Sequence, residues 1–271
     1  MYAAISEAIL IAACLLLRVE RSLSMSLSDE YKRQYAWRSW SEVMDLVPRL
    51  VGKTVLDLGC GVGDQAAELA ERGASVVGID TNEELLATAQ SRKIPNAEFR
   101  SGDLRTLQDV GVADGIWCSF ATAYVPRLGP TLTCWKLHVK PRGWVVLTEV
   151  DDLFGHEPVE PQTRSLLAAY AQDALAAERY DFFMGRKLPS HLERAGFTVT
   201  EFRTLVDKEL SFDGPADSAV LDSWKLRLNR MKLLEDFCGA MFDRVRKDFL
   251  AALSCEDHRS LAKVYCCIGT L

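Results

Sequence analysis

The run Val55-Leu56-Asp57-Leu58-Gly59-Cys60-Gly61-Val62-Gly63-Asp64 sets three alternating glycines behind a lone acid. Glycine has no Cβ and tolerates positive φ, so such a turn lets a ligand approach the backbone closely. Two further carboxylates follow at places that suit a nucleoside. Asp80 closes the run Ser75-Val76-Val77-Gly78-Ile79, where an acid accepts hydrogen bonds from both ribose hydroxyls. Asp103 and Leu104 pair an acceptor for an exocyclic amine with an apolar cover for an adenine face. Each has a plainer reading: Asp57 ties down the turn, Asp80 leads into a helix, and Ser101-Gly102-Asp103 is ordinary turn chemistry.

The spacing narrows the ligand. A dinucleotide site usually reads G-x-G-x-x-G, whereas here it is G-x-G-x-G, with Asp64 in the place of the third dinucleotide glycine. An acid at the head of a helix repels a pyrophosphate that the helix N-terminus would otherwise attract. No G-K-[ST] follows, which excludes a P-loop. A net charge of −6 argues against a nucleic-acid partner. The eight cysteines form no C-x-x-C pair, so no metal site is expected; reduced, buried thiols in a cytoplasmic protein are the simplest reading.

The elements that must carry these residues follow from periodicity. A helix is expected over 28–50, strands over 55–58, 75–80, 97–99, 115–120 and 144–150, and helices over 64–72, 83–93 and 128–139. Thr81-Asn82-Glu83-Glu84 has the form of a capping box. Alternating strands and helices imply a parallel sheet covered on both faces. Beyond Asp151 the rhythm changes: helices over 162–179 and 188–195, a long strand over 197–212, a helical stripe over 217–253 and a closing strand over 262–271. The division expected is an apolar N-terminal extension, 1–27, ahead of a single domain, 28–271. Residues 28–50 would form a cap helix, with 155–188 and 213–258 as helical cover on the substrate side. The apolar stretch 8–17 is too short to span a bilayer, so no stable membrane insertion is expected. Globular sequence begins at Ser28, which makes Met25 an alternative start.

The set VLDLGCGVGD, VVGID, SGDL, GIWCSF and PRGWVVLTEV resembles the class I S-adenosylmethionine-dependent methyltransferases, and is most similar to their small-molecule, ubiquinone/menaquinone-biosynthesis type. The resemblance implies a Rossmann-like α/β three-layer sandwich: a mostly parallel seven-stranded sheet, its last strand antiparallel, with a helical insertion between the last two strands. It implies S-adenosyl-L-methionine as cofactor. Gly59, Gly61 and Gly63 would line its methionine end with Asp57 below, Asp80 would hold the ribose, and Asp103 and Leu104 would flank the adenine. Ser119 and Phe120 would sit beside the transferred methyl, and Arg38 or Tyr31 would cap the cofactor's carboxylate.

Methyl transfer from a sulfonium is an in-line displacement that needs mainly positioning and exclusion of water. A base is required only where the acceptor must lose a proton. His156, after the fifth strand, and Tyr124, after the fourth, are the candidates, with Asp151 and Asp152 as further options. His138, His191 and His258 read as structural. Residues 31–40, 180–184 and 217–253 should close an aromatic, methionine-rich acceptor pocket suited to a small molecule. Three other functions stay open: a protein or peptide methyltransferase, a nucleotide-dependent oxidoreductase, and a non-catalytic relative of the fold. A monomer or homodimer is expected.

Overall fold

The computed structural model describes residues 26–125 and 127–271. The apolar stretch 8–17, Met25 and the greater part of the 1–27 extension lie outside the described residues. Seven strands form one sheet in the order β3-β2-β1-β4-β5-β9-β7. They are β1 (Thr54–Leu58), β2 (Ser75–Asp80), β3 (Ala97–Ser101), β4 (Ala113–Ser119), β5 (Val139–Asp151), β7 (Thr198–Leu205) and β9 (Lys263–Thr270). Strands β1 to β5 pair in parallel, and β9 runs antiparallel between β5 and β7. This is the Rossmann-like arrangement of the class I methyltransferases, with the last strand reversed.

Both faces of the central strands are dry, since successive side chains point to opposite, covered layers. Val55, Trp117, Val146 and Cys266 join one apolar cluster, and Leu56, Ile116, Leu147 and Cys267 join the other. Helices α3 (Asp64–Glu71) and α4 (Glu83–Ser91) follow β1 and β2, while α5 (Leu128–Lys136) follows β4. Crossovers of this kind leave the loops after β1, β2, β3 and β4 on one edge, where open α/β sheets bind ligands.

Several boundaries differ from the sequence expectation. The 28–50 helix is two short helices, α1 (Leu27–Tyr35) and α2 (Trp40–Met44). Between them Arg38 bridges to Asp207, and the Trp37 carbonyl accepts from the Lys208 N–H at 3.1 Å. Pairing with a distant turn outcompetes continuation of the helix. Asn82, not Thr81, caps α4, its side chain accepting from the Leu85 N–H at 3.1 Å, so no Glu stands at the third helical position. The 197–212 strand ends at Leu205. Beyond it, Asp207 folds the chain into a turn by accepting from the Glu209 and Leu210 N–H groups, each at 2.8 Å. The stripe over 217–253 is divided into α8 (Ser218–Arg230), α9 (Lys232–Cys238) and α10 (Phe242–Leu253), after α6 (Pro161–Ala176) and α7 (Leu188–Arg194). A two-stranded ribbon of β6 (His156–Glu157) and β8 (Arg259–Ser260) sits apart from the main sheet.

Candidate active site

The glycine turn leaves β1 with its amides already committed. The Gly59 and Cys60 N–H groups both donate to the Ile79 carbonyl, at 2.8 and 3.1 Å, and the Gly63 N–H donates to the Cys60 carbonyl at 2.9 Å. The Gly61 N–H donates to Asp80 Oδ2 at 2.9 Å. A pyrophosphate would need such donors free, and Asp64 adds a carboxylate at the head of α3. Asp57 is fully buried, and neither of its oxygens has a hydrogen-bond partner. Burial first, and then the Asp80 charge, push its carboxyl up to about 7, while the nearby Ala66 N–H offsets little of this. With Asp64 paired to Arg92 at 2.7 Å and the turn's amides committed, Asp80 is the acid left to meet a ligand, an arrangement that suits a nucleoside's hydroxyls where a pyrophosphate finds no free donors.

The three glycines play different parts. Gly61 has φ +53°, and a Cβ there would lie 3.5 Å from the Tyr31 ring, so its open side faces the cleft. Gly63 has φ +78°, and a Cβ there would meet Phe99 Cζ at 2.7 Å. It is the left-handed N-cap of α3 and lines neither cavity, and its close approach is to Phe99. Gly59 faces the loop after β4, where a Cβ would stand 2.7 Å from Ala121 Cβ.

A cavity of about 490 Å³ runs from Asp80 to Asp103, Leu104 and Tyr124. Asp80 also accepts from the Asn82 N–H at 2.8 Å, so it fixes both flanking loops as well as facing the cavity. Asp103 caps a short turn and is gripped by Arg105, with Nη2 at 2.6 Å and Nε at 3.0 Å from the carboxylate. That guanidinium holds the Asp103 carboxyl below its ordinary value. An amine reaching Asp103 must therefore share it with Arg105. The Leu104 carbonyl accepts from Trp135 Nε1 at 2.6 Å, which anchors the apolar side chain.

A smaller cavity of about 130 Å³ adjoins it between Gly61, Gln65, Arg38 and Phe120. Ser119 Oγ accepts from Gln65 Nε2 at 3.0 Å. Phe120 sits at φ +54°, a strained conformation for an aromatic residue and one that clusters at functional sites. Its N–H donates to the Thr148 carbonyl at 2.8 Å, and the Arg38 guanidinium lies 4.6 Å from its ring centre. Arg38 is held by Asp207 at 2.7 Å and Glu209 at 3.2 Å, leaving Nη1 without a protein acceptor among the described residues. Glu149, buried beneath this edge, fixes the loop after β4 by accepting from Thr122 Oγ1 at 3.1 Å and the Ala123 N–H at 3.0 Å. Burial raises its carboxyl to about 7.

A third cavity, of about 420 Å³, lies on the far side of Tyr31. Tyr31 lines all three spaces, and Gln34, Tyr180 and Arg227 line both the second and the third. The segments expected to close an acceptor pocket do border it, but Met184 lies in the core instead. The lining is also more basic than expected, through Arg179, Arg227 and Arg230.

His156 stands elsewhere. It is 1% exposed, lines none of these cavities, and packs edge-on to Trp224 and Phe249 with ring centres 5.4 and 5.5 Å away. Its Nδ1 lies 3.0 Å from His258 Nε2, and His258 Nδ1 lies 2.9 Å from the Gly214 carbonyl. One consistent proton arrangement makes each Nδ1 the donor. Burial, then His258, lower the His156 pKa to about 3, so it stays neutral in the core. As a candidate base it is corrected to a buried core residue, because α8 and α10 cover it. Asp151 is clamped by Arg186, with Nε at 2.7 and 2.9 Å, and neither it nor Asp152 lines the cavities. Tyr124 does border two of them, with 67% of its surface exposed and its ring edge-on to Tyr180 at 4.8 Å.

Gln34, Gln65, Glu149, Arg179, Arg227 and Arg230 were not anticipated. A charged residue within the apolar run Val145 to Val150 was a usable signal for Glu149, since parallel strands seldom carry one. Arg227 and Arg230 lie on a helix expected to help close the acceptor pocket through its apolar and aromatic residues, not through its arginines.

A family model described as "Methyltransferase domain" matches residues 30–201. The chain is 34% identical over 104 residues to the trans-aconitate 2-methyltransferase of Deinococcus radiodurans, a match covering 38% of this chain and 40% of that protein. It is 30% identical over 165 residues to the ubiquinone biosynthesis O-methyltransferase of Acinetobacter baumannii, covering 58% of this chain and 68% of that one. Among solved structures, an S-adenosylmethionine-dependent methyltransferase from Mesorhizobium loti superposes with a TM-score of 0.53 at 18% identity, covering 86% of this chain and 97% of that one. The geranyl diphosphate C-methyltransferase of Streptomyces coelicolor, solved with S-adenosyl-L-homocysteine, gives 0.52 at 13%, covering 85% and 78%. At these identities the structural likeness speaks for the fold alone.

Proposed function

Since the chain belongs to the S-adenosylmethionine-dependent methyltransferases, we propose that it methylates a small molecule held in the 420 Å³ cavity, with the donor in the two cavities across Tyr31. The observation that carries this is the shared wall. A space of small-ligand size meets the donor side at Tyr31, Gln34 and Tyr180 and is bordered by α6 and α8. The two relatives' names, which speak of trans-aconitate and of ubiquinone biosynthesis, point the same way. In this reading residues 28–271 act as one catalytic domain, and 155–188 and 213–258 form its cover.

The bound donor supplies an already activated methyl group. The chain's own residues orient and enclose it. Asp80 accepts from the ribose hydroxyls while holding the Gly61 amide, and Asp103 and Leu104 flank the adenine. Gly59 and Gly61 leave room for the chain of the methionine end, over Asp57. Arg38 offers its free Nη1 to the donor's carboxylate, with Tyr31 covering it. Ser119 and Phe120 border the point of transfer. Tyr124 and Tyr180 exclude water.

The full chain, titrated calorimetrically with S-adenosylmethionine, S-adenosylhomocysteine and NAD, should bind the two sulfur ligands and not NAD. Supplied with methyl-labelled donor and a cell extract, it should label the small-molecule fraction. Label confined to the protein fraction would overturn the small-molecule reading in favour of a protein methyltransferase.

A further inference from the structure

The acceptor cavity has an uneven charge distribution. Arg179, Arg227 and Arg230 line it, and among the described residues no Asp, Glu or His does. The partners of these arginines lie behind the wall: Asp173 for Arg179, Glu209 for Arg227 and Glu30 for Arg230. Arg227 is the innermost, with 24% of its side chain exposed, and it borders the donor-side cavity too. Its Nη2 donates to Glu209 Oε1 at 2.8 Å. Its Nε is buried without an acceptor among the described residues, and its guanidinium is steadied 5.3 Å from the centre of the Trp224 ring. Buried N–H groups are normally paired, and a guanidinium whose donors are not all taken, on a side chain that still borders the cavity, matches a carboxylate or phosphate.

We infer that the acceptor is a small oxyanion-bearing molecule whose carboxylate or phosphate is held by Arg227, with Arg179 and Arg230 on the rim. This rests on the methyl-transfer reading above. The body of the molecule lies among Tyr31, Tyr170, Tyr180 and Phe182, which suits a planar or hydrocarbon frame. Burial holds the Tyr170 and Tyr180 phenols above their ordinary value, so the lining carries no ready base. An acceptor that arrives ionised meets that condition.

The test is calorimetric titration of the full chain loaded with S-adenosylhomocysteine, using benzoate, phenyl phosphate and uncharged benzamide. At least one anion should bind at least about tenfold more tightly than benzamide, and the tighter of the two names the head group. Arg227→Gln should weaken that anion about tenfold to a hundredfold, the usual worth of a charge-assisted pair, and should weaken S-adenosylhomocysteine by a smaller factor. Arg227 also braces Glu209, so Arg179→Gln, on the rim, serves as a second variant, with an expected loss of about twofold to fivefold. The proposal is overturned by the lack of any preference for the anions, by the failure of all three probes to bind, or by Arg227→Gln weakening S-adenosylhomocysteine as much as the anion or more. If S-adenosylhomocysteine itself does not bind, the methyl-transfer reading falls and this inference falls with it.

Discussion

Replacing Asp57 with Asn should make the protein relatively more stable as the pH rises. The carboxyl ionises near 3.8 in a model compound and near 7 in the fold, because it is buried without a partner and faces Asp80. Below about pH 4 it is protonated in both states and costs nothing. Between the two values the unfolded state has released the proton and the folded state has not, so the wild type loses stability at about 1.4 kcal/mol per pH unit. Above about 7 the cost is complete, at roughly 4 kcal/mol. Asn cannot titrate, so its difference from wild type should grow by roughly 2–3 kcal/mol between pH 5 and pH 8. Glu149, also raised to about 7, titrates in both proteins and cancels in the comparison. Urea denaturation at the two pH values measures the difference. A gap between variant and wild type that stays constant with pH would refute the assignment of an ionisable, unpaired Asp57.

Three further outcomes follow from particular contacts. Asp80→Ala should weaken S-adenosylhomocysteine about tenfold to a hundredfold by calorimetry, and an unchanged affinity would remove Asp80 from the ribose. Gly63→Ala, with a Cβ only 2.7 Å from Phe99, should cost about 2–4 kcal/mol, whereas Gly61→Ala meets only the Tyr31 ring at 3.5 Å and should cost about 1–2; equal urea midpoints would contradict the division of labour between the two glycines. His156→Phe orphans His258 Nε2 and should lower stability by about 1–3 kcal/mol. It should leave donor affinity and the pH profile of turnover in place, so a displaced profile would return His156 to the chemistry.

The acids around the glycine turn and the arginines beyond Tyr31 make the cleft electrostatically two-sided. Burial alone would raise the Glu209 carboxyl, but Arg227 and Arg38 overcome it and hold the group below its ordinary value. The same network joins α1, the 206–212 turn and α8, since Gln34 Nε2, Ser223 Oγ and both guanidiniums converge on Glu209. The proposed donor and acceptor sides are thereby braced by one buried carboxylate, and removing Glu209 would disturb both.

The sequence by itself determined the sheet, its order of strands and helices, and the edge proposed to anchor the donor. The apolar runs of β1, β2 and β4, the glycine turn and the carboxylates that close or follow strands at 57, 80 and 103 are local patterns, each written within a few residues. Local pattern reached its limit where distant segments compete for the same backbone. Only the tertiary structure decided that the first helix breaks at Arg38, because Asp207 lies far along the chain and captures it. It likewise decided that His156 belongs to the core, because α8 and α10 fold over the loop that carries it. The character of the acceptor cavity was hidden for the same reason. Arg179, Arg227 and Arg230 sit on elements up to about fifty residues apart, and their common direction exists only after those elements meet across Tyr31.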